Sequence, residues 1–312
     1  MKLYSYAKKI IHILSTKFLY RDNFIKPNLY LFNIKQTDIP RVKCIFFELD
    51  SDEYMHLGDH LFFLPLIKSF IDSGYEVDVR TTKAMHDLFK MLNLNVVEAP
   101  KPLDAYDLII SRFELIQRIK NYKSLLLDVS KNLTQPICDQ MLAEFGKYFK
   151  LKAYIKPDFM IFYNKDILKK FNLPTDKKLV FFNLYCDASS YLITQAKKNQ
   201  LINFVKEYAN NPNYAVVFVG GKSDKEKDKN LYDFNFIDLR GKTTVIDIFA
   251  LVGASSVEYY IGFDAFIMHV FSLLNKRSFV VFRGRLTKQQ DNMLRKYHVN
   301  LFNEDHTVTL LN

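Results

Sequence analysis

Cysteine is scarce in this chain, which limits both the compartment and the kinds of site it can have. Only three of the 312 residues are cysteines, and they are Cys44, Cys138 and Cys186. Their odd number and wide separation give no paired spacing of the kind that a disulfide framework or a zinc site needs. The sequence therefore predicts a protein of a reducing compartment.

Long apolar runs are also missing. No stretch reaches the roughly 18 uninterrupted apolar residues of a membrane-spanning helix. The nearest approach is 10–14, which is short, lies between lysines and is not followed by a small-residue cleavage site. We therefore expect a soluble or peripheral protein.

Residues 1–42 are predicted to form a basic, amphipathic N-terminal extension. A helix over 3–20 would gather its apolar side chains on one face, with lysines elsewhere. The apolar face can pack on the protein's own body, which we favour, or lie on an anionic membrane surface, which stays open as a peripheral contact.

Aromatic residues and positive charge are abundant. The chain is 49% hydrophobic, with 28 Phe and 19 Tyr, which excludes disorder and is ample for two cores. Its 44 basic and 34 acidic residues give a net charge of +10, which favours anionic partners such as nucleotide phosphates, acidic glycans or lipid head groups. Nucleic acid is not expected as a partner, because the aromatics fall within apolar segments rather than between basic residues on a polar face.

Strand and helix patterns alternate along the chain with the spacing of βαβ units, which predicts parallel sheets covered on both faces. The pattern loosens between 147 and 176, where we place the junction of two doubly wound domains. The charged run 222–230 is interpreted as a solvated loop. The predicted strands are 43–49, 75–80, 95–98, 107–111, 124–128, 179–185, 214–219, 257–261 and 279–282, and the clearest helices are 60–73, 194–210 and 244–253.

The stretch 238–284 carries most of the functional information. Thr243 or Thr244 can cap a helix that ends at Gly253. The apolar run 257–261 is a buried parallel strand that leads into Gly262-Phe263-Asp264. Ligands bind beyond the carboxyl ends of parallel strands, and the next helix offers free N–H groups to a phosphate. Residues 264–269 are therefore predicted to form a nucleotide or phosphate site.

Residues 43–302 resemble the heptosyltransferase-like enzymes of glycosyltransferase family 9. The run Leu57-Gly58-Asp59-His60, followed by a helix with an early proline at 65, is similar to the family's Gly-Asp motif. Residues 238–243 and 262–269 are similar to its donor-binding segments. The order and spacing of these pieces are more specific than any one of them.

The resemblance implies the GT-B architecture, which is α/β with two Rossmann-like doubly wound domains facing across a cleft. Residues 43–160 would form the N-terminal acceptor domain and 161–312 the C-terminal nucleotide-sugar donor domain. The implied location is the cytoplasm, with peripheral attachment to the inner face of the bacterial inner membrane left open.

The implied activity is inverting transfer of a heptose or related sugar from a nucleotide-sugar to a glycan or glycolipid acceptor, such as a lipopolysaccharide or capsule. The nucleotide-sugar would be a co-substrate, and neither a metal nor another cofactor is expected. Two alternatives remain: a catalytically silent protein that binds glycan or assists assembly, and a nucleotide-sugar epimerase or hydrolase.

The resemblance makes Asp59 the general base, because inverting transfer needs a carboxylate to take the proton of the acceptor hydroxyl. A helix N-cap or a first-turn partner of the helix dipole is the alternative role for Asp59. His56 and His60 flank the same turn and would orient the acceptor.

The donor residues implied by the matched segments come from several strand ends. The alternatives are a core position for the histidine, plain turns for the glycines and surface roles for the charged residues. The donor-binding candidates are Asp264, Ala265, Phe266, Ile267, His269, Gly220, Gly221, Asn183, Asp187, Ser189, Arg240 and Lys242.

Three departures and near-matches qualify the resemblance. The chain has no tryptophan and hence no Lys-x-Trp-Pro-like segment, so Lys197 or Lys198 would have to supply that cation. Ala265 and Phe266 stand where the family has small hydroxyl and glycine residues. The run 50–52 has the form of a metal-binding Asp-x-Asp, but its position after the first strand is wrong for that role.

Overall fold

The computed structural model describes residues 29–51, 55–127, 136–186, 193–282 and 307–311. The chain divides into two compact units, which comprise residues 1–55, 63–132 and 141–155, and residues 56–62, 133–140 and 156–312. The predicted helix 3–20 and the candidates Asp187 and Ser189 lie outside the described residues. The domain boundary at 160 stays a prediction.

The first unit contains a six-stranded sheet of order β1-β6-β5-β2-β3-β4, in which β1 runs antiparallel to β6 and the other pairs are parallel. The first turns of its helices α1 and α4 count with the second unit. Its strands are β1 (Leu29–Phe32), β2 (Cys44–Glu48), β3 (Glu76–Arg80), β4 (Asn95–Val96), β5 (Leu108–Arg112) and β6 (Ser124–Leu127). Its helices are α1 (Leu57–Asp72), α2 (His86–Met91), α3 (Ile116–Ile119) and α4 (Ile137–Gly146), with 3-10 turns at Gln36–Arg41, Lys83–Met85, Leu103–Ala105 and Phe113–Leu115.

The second unit contains a fully parallel sheet of order β12-β11-β10-β7-β8-β9. Its strands are β7 (Lys178–Asn183), β8 (Tyr214–Phe218), β9 (Ile237–Asp238), β10 (Val257–Phe263), β11 (Arg277–Val281) and β12 (Val308–Leu310). Its helices are α5 (Ile167–Lys170), α6 (Gln195–Ala209), α7 (Lys222–Lys227), α8 (Val245–Gly253) and α9 (Phe266–Leu273), preceded by a 3-10 turn at Phe159–Phe162.

Both sheets reverse their strand order beside their first parallel strand. In the first unit β2 lies between β3 and β5, and in the second unit β7 lies between β8 and β10. This is the order of a Rossmann fold, and the crevice at the carboxyl ends of the two central strands is where such sheets bind ligands. The switch point of the second sheet is thus the pair β7 and β10.

Burial of consecutive strand residues explains why these sheets form. Phe46 and Phe47 point to opposite faces of β2, and Phe181 and Phe182 do so in β7, yet all four are fully buried. A strand buried on both faces reads as a continuous apolar run, which is how the strands were predicted. Every predicted strand is present, with ends that differ by at most two residues.

One element was predicted wrongly. Residues 222–227 form helix α7 rather than a loop. The backbone N–H of Gly221 donates to Oδ2 of Asp224, at 2.8 Å, and this bond satisfies a donor at the start of the helix. The predicted cap of α8 is confirmed, because Thr244 Oγ1 accepts from the N–H of Asp247 at 3.1 Å.

Gly262 lets the two central strands of the second sheet approach each other. It pairs with Asn183 across the β10–β7 ladder. A Cβ atom added to Gly262 would lie 2.6 Å from Cζ of Tyr260 and 2.7 Å from the carbonyl oxygen of Asn183. Neither neighbour can move aside easily. The Asn183 oxygen belongs to the backbone, and the Tyr260 ring is fully buried, with its hydroxyl donating to the Phe263 carbonyl at 2.9 Å.

We therefore predict that Gly262→Ala lowers the free energy of unfolding by about 2 kcal/mol or more, because the added methyl overpacks the core. Gly146→Ala is the matched control, since a Cβ there would meet nothing within 4 Å. Urea unfolding of both variants measures the difference. Equal stability of the two variants would contradict this view of the strand pair.

Lys276 holds the turn between α8 and β10 through hydrogen bonds from its ammonium group to the carbonyls of Ala254 and Val257. Burial lowers the pKa of Lys276 from 10.5 to about 8. Between these two values the unfolded chain binds more protons than the folded one at this residue. Its contribution to the free energy of unfolding therefore increases as the pH rises through that window.

We predict that wild type gains stability relative to Lys276→Met as the pH rises from 8 to 10.5, and that the difference is level below pH 8. Urea unfolding across this range measures the effect. Lys222→Met is the control, because the Lys222 side chain is 84% exposed. A difference that stays constant with pH would show that folding leaves the pKa of Lys276 unchanged, and one that falls would show that folding raises it.

Candidate functional site

Asn183 ends β7 at the switch point of the second sheet, and its side chain braces two loops. Its Nδ2 donates to the carbonyl of Val219 at 3.0 Å, and its Oδ1 accepts from the N–H of Tyr185 at 2.6 Å. The side chain is buried. Asn183 thus fixes the loops that follow β7 and β8, and its predicted contact with a donor stays a prediction.

The segment after β10 presents the start of a helix at the same edge. Asp264 is 5% exposed, and Ala265 is the N-cap of α9 in an extended conformation with no side-chain hydrogen bond to the helix. The ring of Phe266 packs edge-on against Phe249 of α8, with centroids 6.5 Å apart. The first N–H groups of α9 therefore receive no cap from the side chain of their N-cap residue, and the helix dipole makes this end attractive to an anion.

His269 of α9 packs against the turn that contains Asp59. Residues 56–62 belong to the second unit, as α9 does. The His269 ring is 7% exposed and meets the Phe62 ring edge-on, with centroids 5.0 Å apart. A Cβ atom on Gly58 would lie 3.2 Å from Cδ2 of His269. The absence of a side chain at Gly58 thus allows the imidazole to pack against the start of α1.

Asp59 sits on the first turn of α1, where its Oδ2 accepts from the backbone N–H of His56 at 2.9 Å. This bond satisfies a donor at the helix start, so the structural role weighed for Asp59 is observed. The carboxylate is half-exposed, and its role as a base stays a prediction. His56 is exposed, whereas His60 has no exposed surface, so His56 is the better placed of the two to touch an acceptor.

The Gly220-Gly221 turn closes β8 next to Asn183. Gly220 has φ +146°, and a Cβ there would lie 2.5 Å from Oδ2 of Asp224 and 3.1 Å from Nδ2 of Asn183. Only glycine fits this backbone conformation and space. The turn is therefore accounted for by packing, and ligand contact there stays a prediction.

Arg240 is buried and pairs with two carboxylates, and its predicted contact with a phosphate stays a prediction. Its guanidinium donates to both carboxylate oxygens of Asp238 and to Asp228 at 2.6 Å. It also lies over the Phe218 ring, 4.9 Å from the centroid. Burial acts to raise the pKa of Asp238, but hydrogen bonds from Arg240 and Lys225 outweigh it and lower that pKa to about 2. Lys242, which was also predicted to bind the donor, donates from its ammonium group to the Asp238 carbonyl at 2.8 Å.

Asp228 is the residue of this edge that the sequence did not reveal. It lies in the charged run taken for a loop, yet it accepts from Arg240, from the hydroxyls of Tyr185 and Tyr232, and from Asn230. Burial acts to raise the pKa of Asp228, but the hydrogen bonds from these donors outweigh burial and lower that pKa. No local pattern marks Asp228, since two of its partners, Tyr185 and Arg240, follow the separate strands β7 and β9.

Two lysines of α6 reach the same edge. Lys197 donates to the carbonyl of Phe282, just after β11, at 2.9 Å. The ammonium of Lys198 lies 4.4 Å from the centroid of the Tyr185 ring, and burial lowers its pKa. Both were candidates for the missing cation. Lys197 is the one placed beyond β11, on the β10 side of the switch point.

The switch point of the first sheet carries a buried ion pair. Glu48 ends β2 with no exposed surface and pairs with Arg80 at the end of β3. Burial raises the pKa of Glu48, although Arg80 acts against it. Arg118 donates to the carbonyl of Asp50 at 2.6 Å. Glu48 could not be recognised from the sequence, because its position resembles the apolar ones beside it.

Within the described ranges, no three or more His, Cys, Asp or Glu side chains gather in a way that could hold a metal ion. Asp50 is described and Asp52 is not, so the Asp-x-Asp run is only half visible. Independence from metal stays a prediction. None of the helices in the described part of the chain is long and apolar enough to cross a membrane.

No family model and no curated protein matches the chain. Solved structures do match it. The glycosyl transferase family 9 protein from Veillonella parvula is 12% identical with a TM-score of 0.59, over 88% of this chain and 86% of that one. The ADP-heptose lipopolysaccharide heptosyltransferase II of E. coli is 13% identical with a TM-score of 0.53, over 86% and 89%.

A third structure, of the E. coli heptosyltransferase WaaC with ADP, is 16% identical with a TM-score of 0.52, over 86% of this chain and 93% of that one. At these identities the likeness is one of fold. This likeness confirms the fold that the resemblance in the motifs led us to expect. The chain is an α/β protein with two Rossmann-like units of the GT-B type, as these glycosyltransferases are.

Proposed function

We propose that the protein is a glycosyltransferase that uses a nucleotide-sugar donor. One observation carries the proposal: the predicted base and the predicted donor helix meet within a single compact unit. Gly58, next to Asp59, packs against His269, and α9 starts at the switch point between β7 and β10. The fold shared with family 9 and heptosyltransferase structures supports it.

The donor diphosphate would bind at the start of α9. The first backbone N–H groups of α9 and the helix dipole attract an anion, and the N-cap residue Ala265 makes no side-chain hydrogen bond to them. One of the similar structures contains ADP, which makes a nucleoside diphosphate the first ligand to test. Phe266 packs toward Phe249, so its ring is held by the core of this unit.

Asp59 would act as the base. As the acceptor hydroxyl oxygen bonds to the anomeric carbon, the bond from that carbon to the diphosphate breaks and its electron pair leaves with the phosphate. The hydroxyl proton passes to the Asp59 carboxylate. Attack opposite the leaving group inverts the anomeric centre. The positive end of α9 and Lys197 would stabilise the leaving charge without a metal.

The finer assignments follow the same resemblance. The sugar would be a heptose or a related sugar, and the acceptor a lipopolysaccharide, capsule or other surface glycan. The protein would work in the cytoplasm, with peripheral contact to the anionic inner face of the inner membrane. Two carboxylates hold the Arg240 guanidinium, and its contact with the donor stays a prediction.

A second candidate is a catalytically silent protein that binds glycan. The observation in its favour is that Ala265 and Phe266 carry no hydroxyl where a phosphate would bind. A thermal-shift screen with ADP, GDP, UDP, CDP and CMP, each with and without EDTA, separates the two. A shift that survives EDTA supports transfer, and no shift at millimolar nucleotide favours the silent protein.

We predict that Asp59→Asn lowers release of nucleoside diphosphate from the matching nucleotide-sugar by about 100-fold or more, because it removes the base. The amide oxygen can still accept from the His56 N–H, so stability and nucleotide binding stay as in wild type. Asp59→Ala is expected to lose activity and also about 0.5–1 kcal/mol of stability with the helix-start bond. If Asp59→Asn stays active while Asp59→Ala unfolds more readily, Asp59 serves only the helix.

A further inference from the structure

Exposed apolar side chains concentrate in one short segment of the chain. Four of the six large apolar residues that are exposed among the described ranges fall within nine consecutive positions, 155–163. Three of them belong to the second unit and lie within its 3-10 turn at Phe159–Phe162 or directly after it. They are Met160, Ile161 and Tyr163, at 46%, 50% and 43% exposure, and are called the 160–163 surface below.

The turn that carries this surface is firmly anchored. Phe159 and Phe162 are buried and pack on Phe249 of α8, with ring centroids 5.6 and 5.3 Å away. Asp158 caps the turn by accepting from the N–H of Met160 at 2.8 Å. Residues three apart in a 3-10 helix share a face. One face is thus committed to the core, and the other two present apolar side chains outward.

Two of the exposed side chains, Tyr163 and Met160, also pack close to the end of α8. A Cβ atom on Gly253, the last residue of α8, would lie 3.4 Å from Cβ of Tyr163 and 3.7 Å from Sδ of Met160. The 160–163 surface is therefore a fixed feature of the second unit, with close to half of each residue left in water. A cluster of exposed apolar residues on a rigid support is typical of an interaction surface.

The positive charge near the 160–163 surface indicates which kind of partner would bind it. Residues 156–178, all in the second unit, contain six lysines, three aspartates and no other charged residue, which is a net +3. In the second unit Lys165 and Lys169 are exposed directly after the 160–163 surface. The Lys169–Asp166 pair is itself 79% and 56% exposed, so it binds Lys169 only weakly. Like charge disfavours a second copy of this chain and favours an anionic partner.

We propose that the 160–163 surface and the lysines beside it contact the surface of an anionic lipid membrane. Apolar and aromatic side chains ringed by lysines are suited to the boundary between head groups and acyl chains, where tyrosine and lysine are stable. Lysines near such a surface add electrostatic attraction that salt weakens. This contact is separate from the one that residues 3–20 could make and does not depend on sugar transfer.

Sedimentation with vesicles tests the contact on the full-length protein. Wild type is mixed with vesicles of phosphatidylcholine alone, or with about a third phosphatidylglycerol, in low and high salt. The expected result is binding to the anionic vesicles only, and less of it in high salt. Absence of binding to anionic vesicles in low salt would overturn the proposal.

Matched variants locate the contact. Met160→Ser/Ile161→Ser should weaken binding several-fold, and Lys165→Glu/Lys169→Glu about tenfold. The controls change equivalent exposed residues elsewhere in the second unit: Leu231→Ser, where the leucine is 96% exposed, and Lys222→Glu/Lys229→Glu. Thermal unfolding confirms that each variant is folded.

Ile10→Ser/Leu14→Ser changes the N-terminal segment in the same assay. Loss of binding in both 160–169 variants, with the two controls bound as wild type, supports the proposal. Equal loss in the controls, or loss only in the N-terminal variant, would overturn it. A wild-type dimer in solution that Ile161→Ser converts to a monomer would also overturn it, because a second copy would then cover the surface.

Discussion

The close pairing of β7 with β10 is the constraint on which the second unit depends. These strands are neighbours in space but are separated in the chain by two βα units, and their contact reverses the strand order. Gly262 allows the approach, since any side chain there would collide with Tyr260 and the backbone of Asn183. The pairing places the end of β7 and the start of α9 side by side, which gives the candidate site its position.

Around this pair, buried polar groups mostly hold loops in place. Asn183 ties together the loops after β7 and β8, and Arg240 ties the loop after β9 to Asp228. Pairing of a buried guanidinium with two carboxylates offsets the cost of removing these charges from water. The proposed donor site therefore relies on backbone N–H groups of α9 and on Lys197, that is, on helix geometry more than on charged side chains.

Much of the fold could be predicted from the sequence, because strands buried on both faces give continuous apolar runs such as 179–185. The edge strands β9 and β12 are only two and three residues long and leave no such run. Helix α7 was missed because charged residues hide its cap, in which Asp224 accepts from Gly221. Local patterns define central strands well and short edge elements poorly.

Part of the candidate site could be predicted, because it follows a strand that the apolar run made recognisable. Asp264 and the start of α9 follow directly from the strand that precedes them. Glu48 and Asp228 could not be predicted, because their roles come from partners distant in the chain, Arg80 for the one and Arg240 and Tyr185 for the other. The contact of His269 with Gly58 likewise joins residues more than 200 positions apart.

Amide hydrogen exchange with and without a nucleoside diphosphate, in the presence of EDTA, tests the central claim most directly. The first N–H groups of a helix have no partner within it, so they exchange readily until a ligand binds them. The account predicts slower exchange in peptides covering 264–269, with ADP as the first ligand to try. Protection confined to the first sheet, or none with any nucleoside diphosphate, would show that the start of α9 does not bind a nucleotide.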